Sequence, residues 1–239
     1  MPAEGVELMP HDDILSFEEI VEFTKKAVAD GVDKVRITGG EPLVRHDIIK
    51  LIKKIGEIEG IKDFGMTTNG ILLPKYARQL KDAGLMRVNI SLDTMNPERY
   101  TEITRLGKIE DVFAGIEAAK EAELFPIKIN CVIKKSNQEP DAMAVAEYCK
   151  ANGLEIRYIH EMNLETGEFS IVEGGEGGDC KNCNRLRLTA NGDVMPCLFS
   201  DLSFNVRELG IDKSIEESLK NKPRSGTSNH TGHFNNIGG

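Results

Sequence analysis

The sequence predicts an α/β protein, built from βα units around a parallel sheet. Five short runs with the composition of β-strands alternate with amphipathic helical stretches. Successive runs are separated by about 25 to 40 residues, a spacing that suits βα units and a parallel sheet. A third observation is the alternation of polar and apolar residues within the runs, which indicates a sheet with one polar face.

The helices are predicted from their caps and their apolar periodicity. The first covers residues 16–31, where Ser16 and Glu19 occupy capping-box positions and Gly31 ends the helix. The next two each carry one apolar stripe, formed by Ile48, Ile52 and Ile55 within 46–60 and by Tyr76, Leu80 and Ala83 within 74–84. Further helices are predicted over about 96–104, 109–122 and 139–153.

The strands are predicted over 33–39, 63–69, 86–93, 126–134 and 155–162. Successive side chains of a strand point to opposite faces. The apolar set comprises Val35, Ile37, Val88, Ile90, Leu92, Ile127, Ile129 and Cys131, and the polar set comprises Arg36, Thr38, Asn89, Ser91, Asp93, Lys128 and Asn130. We expect helices to cover the apolar set and the polar set to line a cavity. The alternative is an antiparallel sheet with one wet face, which the intervening helices disfavour.

Two cations and two glycines on this sheet suggest a ligand. Burial of Arg36 and Lys128 without partners would be unfavourable, so a polyanionic ligand is the simplest explanation for them. Gly39 and Gly40 end the first strand in TGGEP, at the carboxyl edge where α/β folds bind ligands. Taken alone, these glycines are explained equally well by a simple turn. The chain has no P-loop motif and no GxGxxG after a strand.

Composition limits the class of protein. The chain has 239 residues, 40% of them hydrophobic, and a formal net charge of -9. An acidic chain is a poor candidate for unspecific binding to nucleic acid or to a membrane surface. No apolar run approaches the roughly 18 residues of a membrane span, and MPAEGVELMPHDD does not resemble a signal peptide. We therefore expect a cytoplasmic protein, in which Cys131 and Cys149 are ordinary core residues.

Three further cysteines cluster in the stretch DCKNCNRLRLTANGDVMPC. Cys180, Cys183 and Cys197 have the spacing C-x2-C-x13-C. A structural zinc site needs four ligands, so its fourth would come from His230 or His233. An iron–sulfur cluster tolerates three thiolates when one iron is left for another ligand. The spacing favours the cluster only modestly, and both kinds of site remain open at this point.

Two arginines lie between these cysteines. Arg185 and Arg187 are two residues apart in NRLRLT, so in an extended segment they project to the same side. Arginine binds phosphate or carboxylate groups with two parallel hydrogen bonds. The pattern therefore indicates an anionic ligand beside the metal site.

At this point the residues support a resemblance. RITGGEPL, MTTNG, VNISLD, CNRLRLTANGDVMPCLF and the terminal IGG together resemble the GTP 3',8-cyclase family of radical S-adenosylmethionine enzymes, which act in molybdenum cofactor biosynthesis. The resemblance is collinear from Met1 to about Met162 and resumes from Cys180 to Gly239. It implies an incomplete parallel (β/α) barrel, TIM-like and of the radical S-adenosylmethionine type, over 1–162. It also implies a short C-terminal cluster-binding and GTP-binding extension over 163–239.

The resemblance also implies roles for individual residues. Cys180, Cys183 and Cys197 would hold a [4Fe-4S] cluster whose unique iron is open to the guanine of GTP. The GTP-contacting positions would be Arg36, Thr67, Lys128, Arg185, Leu186 and Arg187. The positions that contact S-adenosylmethionine would be Gly40, Ser91 and Met162. The terminal Gly238 and Gly239 would match a mobile tail that reaches the active site.

The reaction implied by the resemblance begins with reductive cleavage of S-adenosylmethionine at a first cluster. The resulting 5'-deoxyadenosyl radical abstracts the ribose 3' hydrogen of GTP, and the nucleotide is rebuilt into (8S)-3',8-cyclo-7,8-dihydroguanosine 5'-triphosphate. The implied partners are GTP, an electron donor and a downstream enzyme that forms cyclic pyranopterin. The resemblance also allows a homodimer, and neither nucleic acid nor a membrane is expected as a partner.

Two departures from the family pattern qualify this expectation. The 17 residues between Met162 and Cys180 are several-fold fewer than the family has there, and GGEGGD would bridge the deletion. Family members carry a C-x3-C-x2-C segment, the ligands of the first cluster, directly before a stretch like MPAEG, which here begins at Met1. We expect a truncated cyclase that is inactive alone, with a second [4Fe-4S] cluster only if such a segment exists. The alternatives are a radical S-adenosylmethionine peptide maturase with an auxiliary cluster and a non-catalytic metal-binding or nucleotide-binding paralogue.

Overall fold

A five-stranded, fully parallel sheet forms the centre of the larger of two compact units. The computed structural model describes residues 9–162 and 170–226. The strands follow one another across the sheet in chain order, each hydrogen-bonded to the next: β1 (Lys34–Ile37), β2 (Asp63–Thr68), β3 (Arg87–Ser91), β4 (Lys128–Ile133) and β5 (Glu155–His160). The predicted α/β class and parallel pairing are confirmed, and the antiparallel alternative is wrong.

The predicted helices are present. They are α1 (Phe17–Ala29), α2 (Ile48–Gly56), α3 (Leu73–Asp82), α4 (Pro97–Thr104), α5 (Ile109–Glu121) and α6 (Pro140–Asn152). The capping box of α1 is confirmed, because the backbone N–H of Ser16 donates to Glu19 at 2.7 Å while Glu19 N–H donates to the Ser16 hydroxyl at 3.2 Å. All three residues of the stripe predicted for α2 are buried. In α3 the buried residues are Leu73, Ala77 and Leu80, and Tyr76 is only half-buried.

The register of the sheet aligns the polar residues of neighbouring strands. Thr67 lies beside Asn89 and Asn89 beside Lys128, so one row of polar residues crosses three strands. In the next row, Ser91 lies beside Asn130. Paired residues in a parallel sheet share a face, so the polar face predicted from alternation is a continuous surface. The other face holds the core, in which Ile90 and Ile129 are completely buried.

At the amino end of this polar face an arginine is buried with its partners. Arg87 donates to both carboxylate oxygens of Asp63, at 2.6 and 2.8 Å, and to the amide oxygen of Asn89 at 3.0 Å. Gly65, its neighbour on β2, leaves room for the guanidinium, which lies 3.1 Å from the place where a Cβ would be. The bidentate pair compensates for the burial of both charges.

The glycine-rich segment 170–178 is folded against the edge strand β5. Glu173 exchanges two backbone hydrogen bonds with Tyr158, at 3.0 and 3.1 Å, and its carboxylate accepts from the Asn137 amide at 2.7 Å. Gly174 adopts a positive φ of 75° and lies so close to Ile156 that a Cβ would be 2.6 Å from its carbonyl oxygen. GGEGGD therefore belongs to an edge-covering turn, whereas the sequence suggested only a bridge across a deletion.

The second unit is built on a small antiparallel sheet. It contains β6 (Arg187–Leu188), β7 (Asp193–Met195), β8 (Phe204–Asn205), α7 (Val206–Leu209) and α8 (Ile211–Lys220). Its core joins Phe23 and Ala27 of α1 to Val194 of β7 and Ile215 of α8. Hydrophobic burial thus unites α1 with β7 and α8, which lie far from it in the chain.

The contacts divide the chain at places other than the expected boundary between 162 and 163. One unit comprises the described residues of 1–33, Met162 and 179–226, and the other comprises 34–161 and 170–178. The physical reason is that α1 has its apolar side in the C-terminal core, while 170–178 pairs with β5. Among the described residues, no helix is long and apolar enough to cross a membrane.

A pH-dependent contribution to stability arises from Glu19. Arg207 donates to both its carboxylate oxygens, at 2.7 and 3.0 Å. These hydrogen bonds, with that from the Ser16 backbone, lower the pKa of Glu19 from 4.5 to about 2. Since the folded pKa is depressed, the stabilisation is complete above pH 4.5 and disappears as the pH falls towards 2.

We expect Glu19→Gln to lower the thermal unfolding midpoint at pH 7 and to flatten its decline between pH 4.5 and pH 2. The measurement is the unfolding midpoint by circular dichroism across this pH range. Glu22→Gln, which neutralises an exposed carboxylate on the same helix, is the matched control. An acid-dependent decline as steep in Glu19→Gln as in the parent chain would contradict the assignment.

Candidate functional site

The three clustered cysteines lie on a helical turn and at the end of a hairpin. Cys180 begins a single 3-10 turn, Cys180–Asn182, which the N–H of Cys183 closes on the carbonyl of Cys180 at 3.3 Å. The chain then enters β6, reverses, and returns along β7 towards Cys197. The reversal uses TANGD, in which Gly192 adopts a φ of 92° and Thr189 exchanges hydrogen bonds with Asp193.

The hairpin register explains the long second spacing between the cysteines. Arg187 pairs with Met195 and Leu188 with Val194. The ladder ends at Arg187 and Met195, two residues after Arg185 and two before Cys197. The thirteen residues between Cys183 and Cys197 therefore contain an out-and-back hairpin, which brings Cys197 close enough to Arg187 for their charges to interact.

A cavity of about 360 Å³ opens beside this turn. Its lining combines two of the three thiols with three cations, and consists of Cys180, Cys183, Lys181, Lys222, Pro223 and Arg224. Such a wall suits a group that is anionic overall or carries anionic substituents.

The charges around Cys183 favour its thiolate. Burial alone would raise the pKa of this thiol, but a hydrogen bond from the Arg185 backbone and the charges of Lys222, Arg185 and Arg187 outweigh burial, so the pKa is lowered. Arg187 is itself half-buried, and burial lowers its pKa, as does the charge of Arg185. The thiolate is the form of cysteine that binds metals, so the environment suits a ligand role.

The donor set fits an iron–sulfur cluster in its chemistry. Three half-buried cysteines are available, in a segment with an electropositive wall. In the part of the chain that the structure describes, no group of three His, Cys, Asp or Glu side chains is arranged to hold a single metal ion. His230 and His233, the predicted alternative zinc ligands, lie outside the described residues, as do Gly238 and Gly239.

The polar face of the sheet differs in one respect from the expectation. Lys128 forms an ion pair with Glu155 on the adjacent strand, at 2.7 Å, and Arg36 is exposed and lies near the carboxylate of Asp63. The premise that both cations are buried without partners is therefore wrong. The positions predicted to contact a nucleotide still share a face, since Thr67 and Lys128 lie in one row on either side of Asn89.

The TGGEP loop is held by its glutamate. Glu41 accepts hydrogen bonds from the Thr68 hydroxyl at 2.8 Å and from the Asn69 backbone at 2.7 Å, both at the end of β2. It also accepts from the N–H of Leu43, at 3.0 Å, and so begins a short 3-10 turn. Because the carboxylate joins the loop after β1 to the end of β2, the exposed Gly40 is fixed at the carboxyl edge of the sheet.

The other two residues predicted to contact S-adenosylmethionine, Ser91 and Met162, come at or just after the end of a strand in the sequence. Ser91 is exposed at the last position of β3, and Met162 is half-buried two residues after β5. Beside Ser91, the Oδ1 atom of Asn130 is buried, and no described residue donates a hydrogen bond to it. A buried oxygen without a donor calls for a polar ligand or water.

Comparison with known proteins identifies the family. The profile of the Radical SAM superfamily matches residues 4–157. The GTP 3',8-cyclase of Thermodesulfovibrio yellowstonii is 37% identical over an alignment that covers 97% of this chain and 88% of that protein. The chain belongs to the GTP 3',8-cyclase family of the radical SAM superfamily. Its relatives include the GTP 3',8-cyclases of Petrotoga mobilis, 37% identical over 94% of this chain and 86% of that protein, and of Listeria monocytogenes, 35% identical over 94% and 83%.

Two solved structures share the fold of this family member. Native anSMEcpe with bound AdoMet has a TM-score of 0.61 at 16% identity, over 88% of this chain and 72% of that one. Methylornithine synthase has a TM-score of 0.52 at 16% identity, over 61% of this chain and 44% of that one. At this identity the likeness concerns the fold alone, and it supports the prediction of an incomplete TIM-like barrel.

The sequence did not reveal the importance of three residues that the structure places in the candidate site of this GTP 3',8-cyclase family member. Glu41 belongs to TGGEP, a motif in which only the two glycines were interpreted from the sequence. Asn130 was placed on the polar face, but its lack of a donor is visible only in three dimensions. The sequence around Lys222, NKPRS, contains no pattern that predicts a role for it, because its hydrogen-bond partners lie 26 and 37 residues away in the chain.

The remaining two cysteines are core residues, as predicted. Burial raises the pKa of the Cys131 thiol to about 12 and that of Cys149 to about 11. Both side chains are at most 1% exposed, one on β4 and the other on α6. Thiols in this environment are poor metal ligands and poor nucleophiles.

Proposed function

We propose that the activity to which this chain contributes is that of a GTP 3',8-cyclase, in the first step of molybdenum cofactor biosynthesis. The product would be (8S)-3',8-cyclo-7,8-dihydroguanosine 5'-triphosphate, formed from GTP in a radical reaction that consumes S-adenosylmethionine. The observation that carries the proposal is the kinship with GTP 3',8-cyclases over 97% of the chain, which includes the cysteine segment. The thiol-and-cation cavity supports it independently of kinship.

Cys180, Cys183 and Cys197 are the proposed ligands of a [4Fe-4S] cluster. With three protein thiolates, such a cluster supplies one iron that is open to a further ligand. The lowered pKa of Cys183 and the cations around it support this assignment, because they favour the anionic form of the ligands.

Arg185, Leu186 and Arg187 are the proposed nucleotide contacts in the same unit. The two arginines supply donors matched to phosphate or to the carbonyl edge of a base. Burial of Arg187 is unfavourable unless its charge meets an anion, and the neighbouring thiolates with a bound nucleotide would provide one.

The residues of the sheet are proposed in the roles that the resemblance implies. Arg36, Thr67 and Lys128 would contact GTP, and Gly40, Ser91 and Met162 would contact S-adenosylmethionine. The fixation of Gly40 by Glu41 and the unsatisfied Oδ1 of Asn130 beside Ser91 support a ligand at the carboxyl edge. The proposed partners are an electron donor, a downstream enzyme that forms cyclic pyranopterin, and a second copy of the chain in a homodimer. The proposed location is the cytoplasm.

Calorimetric titration of the anaerobically reconstituted chain with GTP and with ATP tests the proposal. We expect GTP to bind at least tenfold more tightly than ATP, a difference of about 1.4 kcal/mol, because the purine edges have opposite donor and acceptor patterns. The control is the same titration with chain from which iron has been removed. Equal affinities for the two nucleotides would refute the substrate assignment and leave the fold and the metal site untouched.

A further inference from the structure

Lys222 joins the two segments that carry the thiols. Its ammonium donates to the carbonyl of Arg185 at 2.7 Å and to the carbonyl of Pro196 at 2.5 Å. Arg185 follows Cys183 by two residues, and Pro196 directly precedes Cys197. A single side chain therefore ties the strand leaving the first pair of thiols to the strand that arrives at the third.

The base of this side chain is firmly anchored. Lys222 lies two residues beyond α8. Two contacts attach α8 to the hairpin: Ile215 packs in the shared core, and the hydroxyl of the fully buried Ser218 donates to the Val194 carbonyl at 2.9 Å. The tie is thus part of a packed unit, so the two carbonyls are held at a fixed separation.

The ammonium also lines the cavity beside the thiols. An ammonium group has three N–H donors, of which the two carbonyls use two. Lys222 belongs to the same cavity wall as Cys180 and Cys183. Placing a charge among half-buried groups is unfavourable unless it is compensated, and three thiolates in the same segment are the natural compensation.

We propose that Lys222 is a positioning residue of the metal site, which holds the Cys183 and Cys197 segments in place and offsets the negative charge of the bound cluster. The proposal rests on the cluster assignment made above. It goes beyond that assignment because it gives a role to a residue that binds neither metal nor nucleotide. Two consequences follow: the tie should slow the loss of iron, and the charge should favour the reduced form of the cluster, which carries one more negative charge.

The test compares Lys222→Met with the parent chain after anaerobic reconstitution, without GTP or S-adenosylmethionine. Iron should be lost to a chelator at least threefold faster from the variant. Its reduction equilibrium constant, followed by electron paramagnetic resonance during a redox titration, should fall at least threefold, which is about 30 mV for one electron. Lys222→Arg, which retains the charge and donors, should stay close to the parent in potential.

Lys220→Met is the matched control, since it removes an exposed lysine from the last turn of the same helix. If Lys222→Met does not accumulate as folded protein, Lys222→Gln replaces it, because glutamine keeps N–H donors but has no charge. The Gln variant should hold the cluster at the lowered reduction potential. Parent-like iron retention and potential in the folded Met or Gln variant would overturn the proposal. A parent chain that binds no cluster would instead overturn the cofactor assignment itself.

Discussion

Replacement of Cys183 by alanine is expected to abolish binding of the iron–sulfur cluster. The parent chain should hold about four iron and about four sulfide after anaerobic reconstitution, and the variant should hold close to none of either. Cys183 is one of the two thiols at this turn, and its pKa is lowered by a hydrogen bond from the Arg185 backbone and by the surrounding cations. Without it, two thiolates remain, too few to hold a cubane against loss of iron. The measurement is iron and acid-labile sulfide per chain, together with the visible absorption spectrum.

The matched control for this experiment is Cys149→Ala. Cys149 is buried in α6 with a raised pKa, so its removal should leave the iron and sulfide content unchanged. It should lower stability by about 1 to 2 kcal/mol through the loss of packed atoms. Stoichiometric zinc without sulfide in the parent chain would decide against the cluster and in favour of a structural zinc site.

Replacement of both Arg185 and Arg187 by alanine is expected to weaken GTP binding at least tenfold. Each charge-assisted hydrogen bond contributes about 1.5 to 3 kcal/mol, and a tenfold loss corresponds to about 1.4 kcal/mol. The prediction is therefore met even if only one of the two arginines contacts the nucleotide. Calorimetric titration of reconstituted protein measures the affinity, and the iron content of the variant shows whether the metal site is intact.

Arg78→Ala, which removes an exposed arginine from α3, controls for the loss of positive charge as such. It should bind GTP like the parent chain. An unchanged affinity in the double variant, with full iron content and a parent-like unfolding transition, would show that these arginines do not contact the nucleotide.

Much of the fold was predictable because its signals are local. The boundaries of the five strands differ from the predicted ranges by no more than two residues at either end. The polar face was predicted because a strand alternates its side chains regardless of what surrounds it, as in Val88, Asn89 and Ile90. The cap of α1 was predicted because Ser16 and Glu19 interact across a single turn.

The candidate site was predictable only where its residues lie close together in the sequence. Cys180, Cys183, Arg185 and Arg187 lie within eight residues of sequence, and the structure places Cys180 and Cys183 on one cavity wall. The inference about Arg36 and Lys128 failed because it depended on burial and on partners. Glu155, which pairs with Lys128, is 27 residues away and comes next to it only through the register of β4 and β5.

The sequence by itself determined the class of fold, the face on which each strand residue lies and the identity of the clustered thiols. These follow from the stereochemistry of consecutive residues, which every L-amino-acid chain obeys in the same way. Only the tertiary structure decided that α1 packs in the C-terminal core, that 170–178 covers the edge of β5 and that Lys222 ties the cysteine segments together. Such choices depend on which distant surfaces bury the most apolar area and satisfy the most polar groups together, so no local pattern contains them.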